Sequence, residues 1–359
     1  MKLMDSNKKN IWLQAYSHGN LGDDLFIYII TSRYPDCHFY LLCYDENNCL
    51  SGIPNLTILR ENFLRETLRK IDKSYLAFKG LISKCDATVF LGGSMFIERS
   101  NWRSKLKFHN RLFKASKEFC LIGSNFGPYS SEEYLRGYEE LFGNMGDCCF
   151  RDEYSAKLFG DLDNVRYAPD IAFTTDLGAS VSKEEKSIAI SVVNLKHKPE
   201  LSKYYDRYVA LLKDTVSYLA DNNWKVRLLS FCDEHGDVSC CKDIIGDKDI
   251  DIIEYKGNLE EILQVLKESE YVIATRFHSM ILGWLFGCKV YSFVYDEKMT
   301  NVLDNFRITD AGWDVRDENV PQIGEILDKA ICLPDIEKVR DMAQQQFSYL
   351  DSLLKEKRK

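Results

Sequence analysis

Short β-rich runs alternate with longer helical stretches along almost the whole chain, and this alternation restricts the fold more than any other feature of the sequence. A strand that feeds a crossover helix and returns as the next strand builds a parallel sheet covered on both faces. In the first half, strands are expected over residues 11–17, 39–44, 56–59, 87–91, 119–123 and 148–151. Helical periodicity is clearest over 24–33, 62–81, 103–117 and 131–142. After Asp176 the text LGASVSKEEK carries no apolar period, which predicts a linker over 177–186. A second series begins at Ser187, with strands at 188–193, 225–231, 250–255, 271–275 and 289–294. Its helices fall at 200–220, 259–267, 279–286 and 297–305, and a charged helix over 335–354 closes the chain. The expectation is an α/β protein of two Rossmann-like domains, 1–176 and 187–334, facing across a cleft, with 335–359 as a C-terminal helix and basic tail. Ligands of such sheets bind beyond the carboxyl ends of the strands, so the cleft is the expected active site.

Length supports this division, since 359 residues of which 45% are apolar bury a large core and suit two domains. A net charge of −8 argues against a protein that tracks a nucleic-acid backbone, because phosphate contacts need a dominant basic surface. The 12 cysteines show neither a paired framework nor a zinc spacing. Cys148-Cys149 and Cys240-Cys241 read as small buried hydrophobes on a strand and a helix, and the compartment reads as reducing and cytosolic. The start of the sequence lacks the apolar core of a signal peptide. The most apolar stretch, 271–295, contains Arg276, His278 and Lys289, so it reads as buried strand, helix and strand rather than as a membrane span.

Polar and glycine-bearing segments sit where the predicted strands end. Ser17-His18-Gly19-Asn20-Leu21-Gly22-Asp23-Asp24 lies between the first strand and the first helix, where glycines let backbone approach a ligand and free N–H groups favour an anion. It reads equally as a tight turn with Asp23 or Asp24 as helix cap. Gly92-Gly93-Ser94 and Gly123-Ser124-Asn125-Phe126-Gly127-Pro128 form two further corners, and the three together predict a polar floor along one sheet edge. Arg151, at a strand's carboxyl end, either forks onto a carboxylate or phosphate or pairs with Asp152 or Glu153. Asp170, after Pro169, is either a loop cap or a polar group at the rim.

The sharpest signal is Ala274-Thr275-Arg276-Phe277-His278-Ser279, where a strand breaks into a helix. Arg276 and His278 place a fixed cation beside a titratable ring, a pair suited to phosphoryl binding and proton transfer. The alternative is a helix-terminal histidine with Arg276 in a domain-interface ion pair. An unpaired arginine in apolar surroundings is costly, which favours an anionic ligand. Lys298, on the first turn of the next helix, either adds a cation or stays solvated.

In order, GNLGDD (19–24), LGGS (91–94), RDEYS (151–155), APD (168–170), TRFHS (275–279) and YDEK (295–298) resemble the polysaccharide pyruvyl transferase family over about residues 16–305. The resemblance implies a GT-B-like fold, with the acceptor side and part of the donor site in the first domain and the RxH donor site in the second. It implies phosphoenolpyruvate as donor, a sugar or lipid-linked oligosaccharide as acceptor, a pyruvate ketal as product and release of phosphate. No metal or organic cofactor is expected. The family's RxH arginine and histidine and its RxE arginine map onto Arg276, His278 and Arg151. His278 is the expected proton donor, with Asp23 or Asp170 as acceptor-side base. Arg151, Arg276, Lys298, Gly19, Asn20, Gly22, Gly92, Gly93, Ser94 and Ser124 are the expected substrate contacts. One departure is SVVNLKH (191–197), where an arginine often seen in the family is absent. The rival reading is a glycosyltransferase using a nucleotide sugar, because a diphosphate also wants arginine and a glycine corner. A second rival is a non-catalytic glycan-binding protein. The basic end, 355–359, is either solvated or rests on anionic lipid at the inner face of the membrane.

Overall fold

The computed structural model describes residues 8–17, 19–43, 50–60, 74–176, 178 and 181–355. They form two compact units: the first comprises the described residues of 1–18, 23–174 and 339–359, the second those of 19–22 and 175–338. His18, most of the helix expected over 62–81 and residues 356–359 of the basic tail lie outside the described residues.

The first unit is built on seven parallel strands: β1 Lys9–Gln14, β2 Cys37–Cys43, β3 Leu56–Arg60, β4 Ala87–Leu91, β5 Phe119–Ser124, β6 Asp147–Phe150 and β7 Val165–Tyr167. Their order is β3-β2-β1-β4-β5-β6-β7, so the winding reverses between β1 and β4, the position where doubly wound sheets open a binding crevice. Register brings Leu91 beside Ile122, Ser124 beside Phe150, and Phe150 beside Tyr167. The residues that follow these strands therefore leave the sheet at one level.

An aromatic block lies under that edge. Phe96, Phe126, Tyr134, Tyr138, Phe142, Phe150 and Phe159 are buried together, and the Phe96 ring sits 5.1 Å from both Tyr138 and Phe142. Edge-to-face pairs of this kind contribute about 1 kcal/mol each beyond the area they bury. Phe96 and Phe126 also bridge backbone to backbone, which pins the loops after β4 and β5 to the core.

The second unit repeats the plan with six parallel strands: β8 Glu184–Ser191, β9 Lys225–Ser230, β10 Asp251–Glu254, β11 Ser269–Ala274, β12 Lys289–Val294 and β13 Gly312–Asp314. The order β10-β9-β8-β11-β12-β13 places the reversal between β8 and β11. Ala274 lies level with Ser191 on one side and Ser292 on the other.

Three features differ from the sequence reading. β7 and β13 are three-residue edge strands, too short to carry an alternating pattern. β8 starts at Glu184, inside the stretch read as linker, and Lys225 and Arg227 pair with Glu184 there. The closing helix is two, Ile336–Gln344 and Ser348–Lys355, parted by a 3-10 turn at Gln345–Phe347. This segment docks in the first unit: Arg33 pairs with Asp351 at 2.7 Å, and Tyr349 donates to Glu118 at 2.8 Å. Both adjacent cysteine pairs are buried, on β6 and on the helix Asp237–Ile245. No helix among the described residues is long and apolar enough to cross a membrane.

Candidate active site

In the second unit, two of the sequence motifs meet at a missing side chain. Gly22 lies in the first turn of the helix Leu21–Arg33, and a Cβ there would fall 1.8 Å from Nδ1 of His278. Only glycine leaves room for the imidazole at this point. The turn before it is fixed locally: Gly19 takes φ of 60°, which glycine adopts without strain, and Asn20 Oδ1 accepts from the Gly22 amide at 3.0 Å. Asn20, not Asp23 or Asp24, therefore caps this helix, because its side chain precedes the first turn whereas the aspartates lie within it. The Leu21 amide donates to the carbonyl of Phe231 just beyond β9, at 3.1 Å. His278 itself stands in the first turn of the helix Phe277–Leu285, with Arg276 at its N-cap.

Arg276 is 7% exposed and Asp237 fully buried. The guanidinium donates through Nε at 2.9 Å and through Nη2 to Asp237 Oδ2. Nε also faces the Val192 carbonyl at 3.3 Å, and Nη1 has no protein partner among the described residues. Burial opposes the charge, but Asp237, Tyr295 and Cys232 together outweigh it and raise the pKa of Arg276. The premise that Arg276 lacks a partner thus does not hold: the carboxylate comes from 39 residues upstream. Nor is it an ion pair of a domain interface, since both residues belong to the second unit. Asp237 opens its own helix and accepts from the amides of Asn194 at 3.3 Å and Cys232 at 3.2 Å. It knits together the loops after β8, β9 and β11. Lys298 joins the same region, its ammonium 5.8 Å from the Phe277 ring and 3.6 Å from Asp296 Oδ2.

The first unit holds a second constellation. Arg151 is 3% exposed and donates Nη1 to Asp170 Oδ2 at 2.9 Å and Nη2 to Asn125 Oδ1 at 2.7 Å. A Cβ on Gly93 would fall 2.6 Å from Arg151 Nη1, so this glycine too makes room for a side chain. Ser124 Oγ donates to the Gly93 carbonyl at 2.6 Å, and Ser94 Oγ to Asn125 Oδ1 at 3.2 Å. Gly92, at φ of 143°, turns the chain out of β4. The residue expected to pair with Arg151 was Asp152 or Glu153. Asp152 instead caps the helix Glu153–Leu158 through the Ser155 amide at 2.8 Å, and Glu153 pairs along that helix with Lys157. Asp170 acts as a loop cap, Oδ1 accepting from the Ala172 amide at 2.8 Å, and it lies buried beside Arg151. Asp23 is half-buried, in the first turn of its helix.

Sequence reasoning missed Asp237, Asn125 and Gln346. Gln346 is buried in the first unit, its Nε2 donating to the Ala168 carbonyl at 2.6 Å and its Oε1 accepting from the Gly123 amide at 2.9 Å. It braces the segment leading to Asp170 against the end of β5. Asn125 lay inside a quoted motif, and Asp237 follows Gly236 at a helix start; Gln346 carried no signal.

Solved structures share this fold at low identity. HepE of Anabaena, in complex with UDP and glucose, aligns over 97% of this chain and 95% of its own, with a TM-score of 0.53 and 10% identity. A TarM variant of S. aureus, in complex with fondaparinux, α-GlcNAc-glycerol and UDP, aligns over 97% and 100%, with 0.56 and 9%. MnaA of S. aureus with UDP aligns over 98% and 99%, with 0.54 and 12%. These likenesses establish the two-sheet, GT-B-like fold. With the family model for polysaccharide pyruvyl transferase matching residues 20–297, from the glycine turn through the TRFHS segment, the chain belongs to that family.

Proposed function

We propose that this protein transfers the enolpyruvyl group of phosphoenolpyruvate to a sugar of a surface polysaccharide or its lipid-linked precursor, forming a pyruvate ketal and releasing phosphate. The observation that carries the reading is the seat of His278: a titratable ring placed against Gly22, two residues after the helix cap Arg276. Phosphoenolpyruvate carries a carboxylate and a phosphate, and Arg276 and Lys298 of the second unit are the cations assigned to it. His278 protonates the vinyl C3, C2 becomes electrophilic, two sugar hydroxyls add, and the phosphate leaves. We assign the acceptor-side base to Asp23. Asp170 is already committed, Oδ2 to Arg151 and Oδ1 to the Ala172 amide. The reaction so written draws on no metal or organic cofactor, and its proposed place is the cytoplasm, beside a membrane that carries a lipid-linked acceptor.

The test is phosphate release from phosphoenolpyruvate in the presence of candidate acceptors, with ligand-induced stabilisation measured alongside. His278→Gln is expected to lower turnover by about 10²- to 10⁴-fold while the protein still binds phosphoenolpyruvate. Stabilisation by a nucleotide sugar, with none by phosphoenolpyruvate, would move the protein to the glycosyltransferase reading that its UDP-bound structural neighbours keep open.

A further inference from the structure

Tyr295, which follows β12, has a role that neither the RxH pair nor its pairing with Asp237 accounts for. The residue is 6% exposed, and among the described residues its hydroxyl makes no hydrogen bond. Its ring is buried, but its hydroxyl oxygen is not one of the buried polar atoms left without a partner, so it opens to the outside, where a bound group can reach it. Two ammonium groups lie over its ring: Lys198 at 4.8 Å from the centroid and Lys298 at 5.7 Å, both within cation–π range. The phenol also lies within electrostatic reach of the Arg276 guanidinium, and Lys198 acts in the same way on His235. Lys198 is half-buried and has no carboxylate within ion-pair distance among the described residues. Lys198 leaves the sheet after β8, Arg276 after β11 and Tyr295 after β12, so the three surround the switch point of one sheet.

We propose that the Tyr295 hydroxyl and the Lys198 ammonium bind the phosphate group of the donor, with the Tyr295 ring holding Lys198 in place. The proposal rests on the reading that the donor is a phosphate ester. It adds a phosphoryl subsite built from residues outside the six motifs' charged positions. A phenolic O–H and an unpaired ammonium suit a dianionic phosphate better than a carboxylate, because each supplies a donor to a different phosphoryl oxygen.

The test is calorimetric titration of the whole protein with inorganic phosphate and, separately, with phosphoenolpyruvate, at fixed ionic strength. It compares wild type with Tyr295→Phe, Lys198→Met and the control Lys196→Met. Lys196 is exposed and pairs with Asp243 at 3.7 Å. Loss of a charge-assisted donor weakens binding by roughly tenfold, so phosphate affinity is expected to fall about that much in Tyr295→Phe and in Lys198→Met and to hold in Lys196→Met. Tyr295→Phe keeps the ring, and an unchanged melting temperature without ligand separates lost binding from lost folding. Phosphate affinity unchanged in both variants, lowered equally in the control, or absent in wild type overturns the subsite. Phosphate binding that depends on Tyr295 and Lys198 while phosphoenolpyruvate does not bind leaves the subsite standing and removes phosphoenolpyruvate as donor.

Discussion

Adding one methyl group at Gly22 tests whether the glycine exists to seat His278. In Gly22→Ala the new Cβ would lie 1.8 Å from Nδ1, 2.4 Å from Cε1 and 2.8 Å from Cγ of the imidazole. Real Cβ contacts almost never fall below 3.0 Å, so the ring must retreat by about 1.2 Å from its present 1.8 Å. The Phe277 ring stands edge-on at 5.2 Å, and a turn of helix carries the backbone, so the retreat rotates the imidazole away from its present aim. A displacement of about 1 Å in a reacting group lowers turnover roughly 100-fold. Loss of the proton donor sets the limit at about 10⁴-fold. Stability moves little: alanine gains about 1 kcal/mol of helix propensity over glycine, against about 1–3 kcal/mol for overpacking. The assay is phosphate release per enzyme, with melting temperatures measured on wild type, Gly22→Ala, His278→Ala and the double variant. Once the imidazole is gone the clash is gone too, so Gly22→Ala should stabilise the His278→Ala background and not the wild type. Turnover within threefold of wild type would refute the seating argument, and so would the same stability change in both backgrounds.

Three further outcomes follow from the geometry. Asp237→Asn leaves Arg276 buried without its carboxylate and should cost roughly 3–5 kcal/mol in urea unfolding; pairing it with Arg276→Met should recover much of that loss. Glu98 accepts from Ser130 and Ser131, and these bonds, the Ser131 hydroxyl first, lower its pKa from 4.5 to about 2. Because the folded pKa is the depressed one, the stabilisation is complete above about 4.5 and fades as pH falls toward about 2. The melting-temperature gap between wild type and Glu98→Gln should therefore be full at pH 7 and close over that window. Gln346→Leu strands the Gly123 amide and the Ala168 carbonyl in the core and should lower stability by about 3 kcal/mol in the same urea assay.

The alternation of strands and helices was legible because each central strand is a continuous buried run, as β4 and β5 are along their full length. The glycine corners were legible as special and were read as places where backbone approaches a ligand; the structure adds that Gly22 and Gly93 admit the side chains of His278 and Arg151. That relation joins segments far apart in the chain, and spacing within one motif carries no trace of it. The partner of Arg276 was hidden for the same reason, since Asp237 opens a short helix whose apolar pattern is weak. Gln346 was illegible because it sits inside what reads as one charged helix, and only the 3-10 turn at Gln345–Phe347 directs it inward.

Arg151 and Arg276 each find a carboxylate inside their own unit, and this changes what each can offer an anion. A guanidinium held by Asp237 or Asp170 is oriented before any ligand arrives, so binding does not have to order it. The same carboxylate cancels part of its field, so attraction for a ligand must come from donors that the pairing does not use. Arg151 commits Nη1 to Asp170 and Nη2 to Asn125, and Gly93 lies against the same fork. Its geometry serves first to shape the corner after β4. Arg276 commits Nε and Nη2, while Nη1 has no hydrogen bond among the described residues, and the residue itself stands at the N-cap of the helix Phe277–Leu285. Helix-opening amides favour an anion without adding a countercharge. The second unit, not the first, therefore carries the stronger claim to the anionic part of the donor.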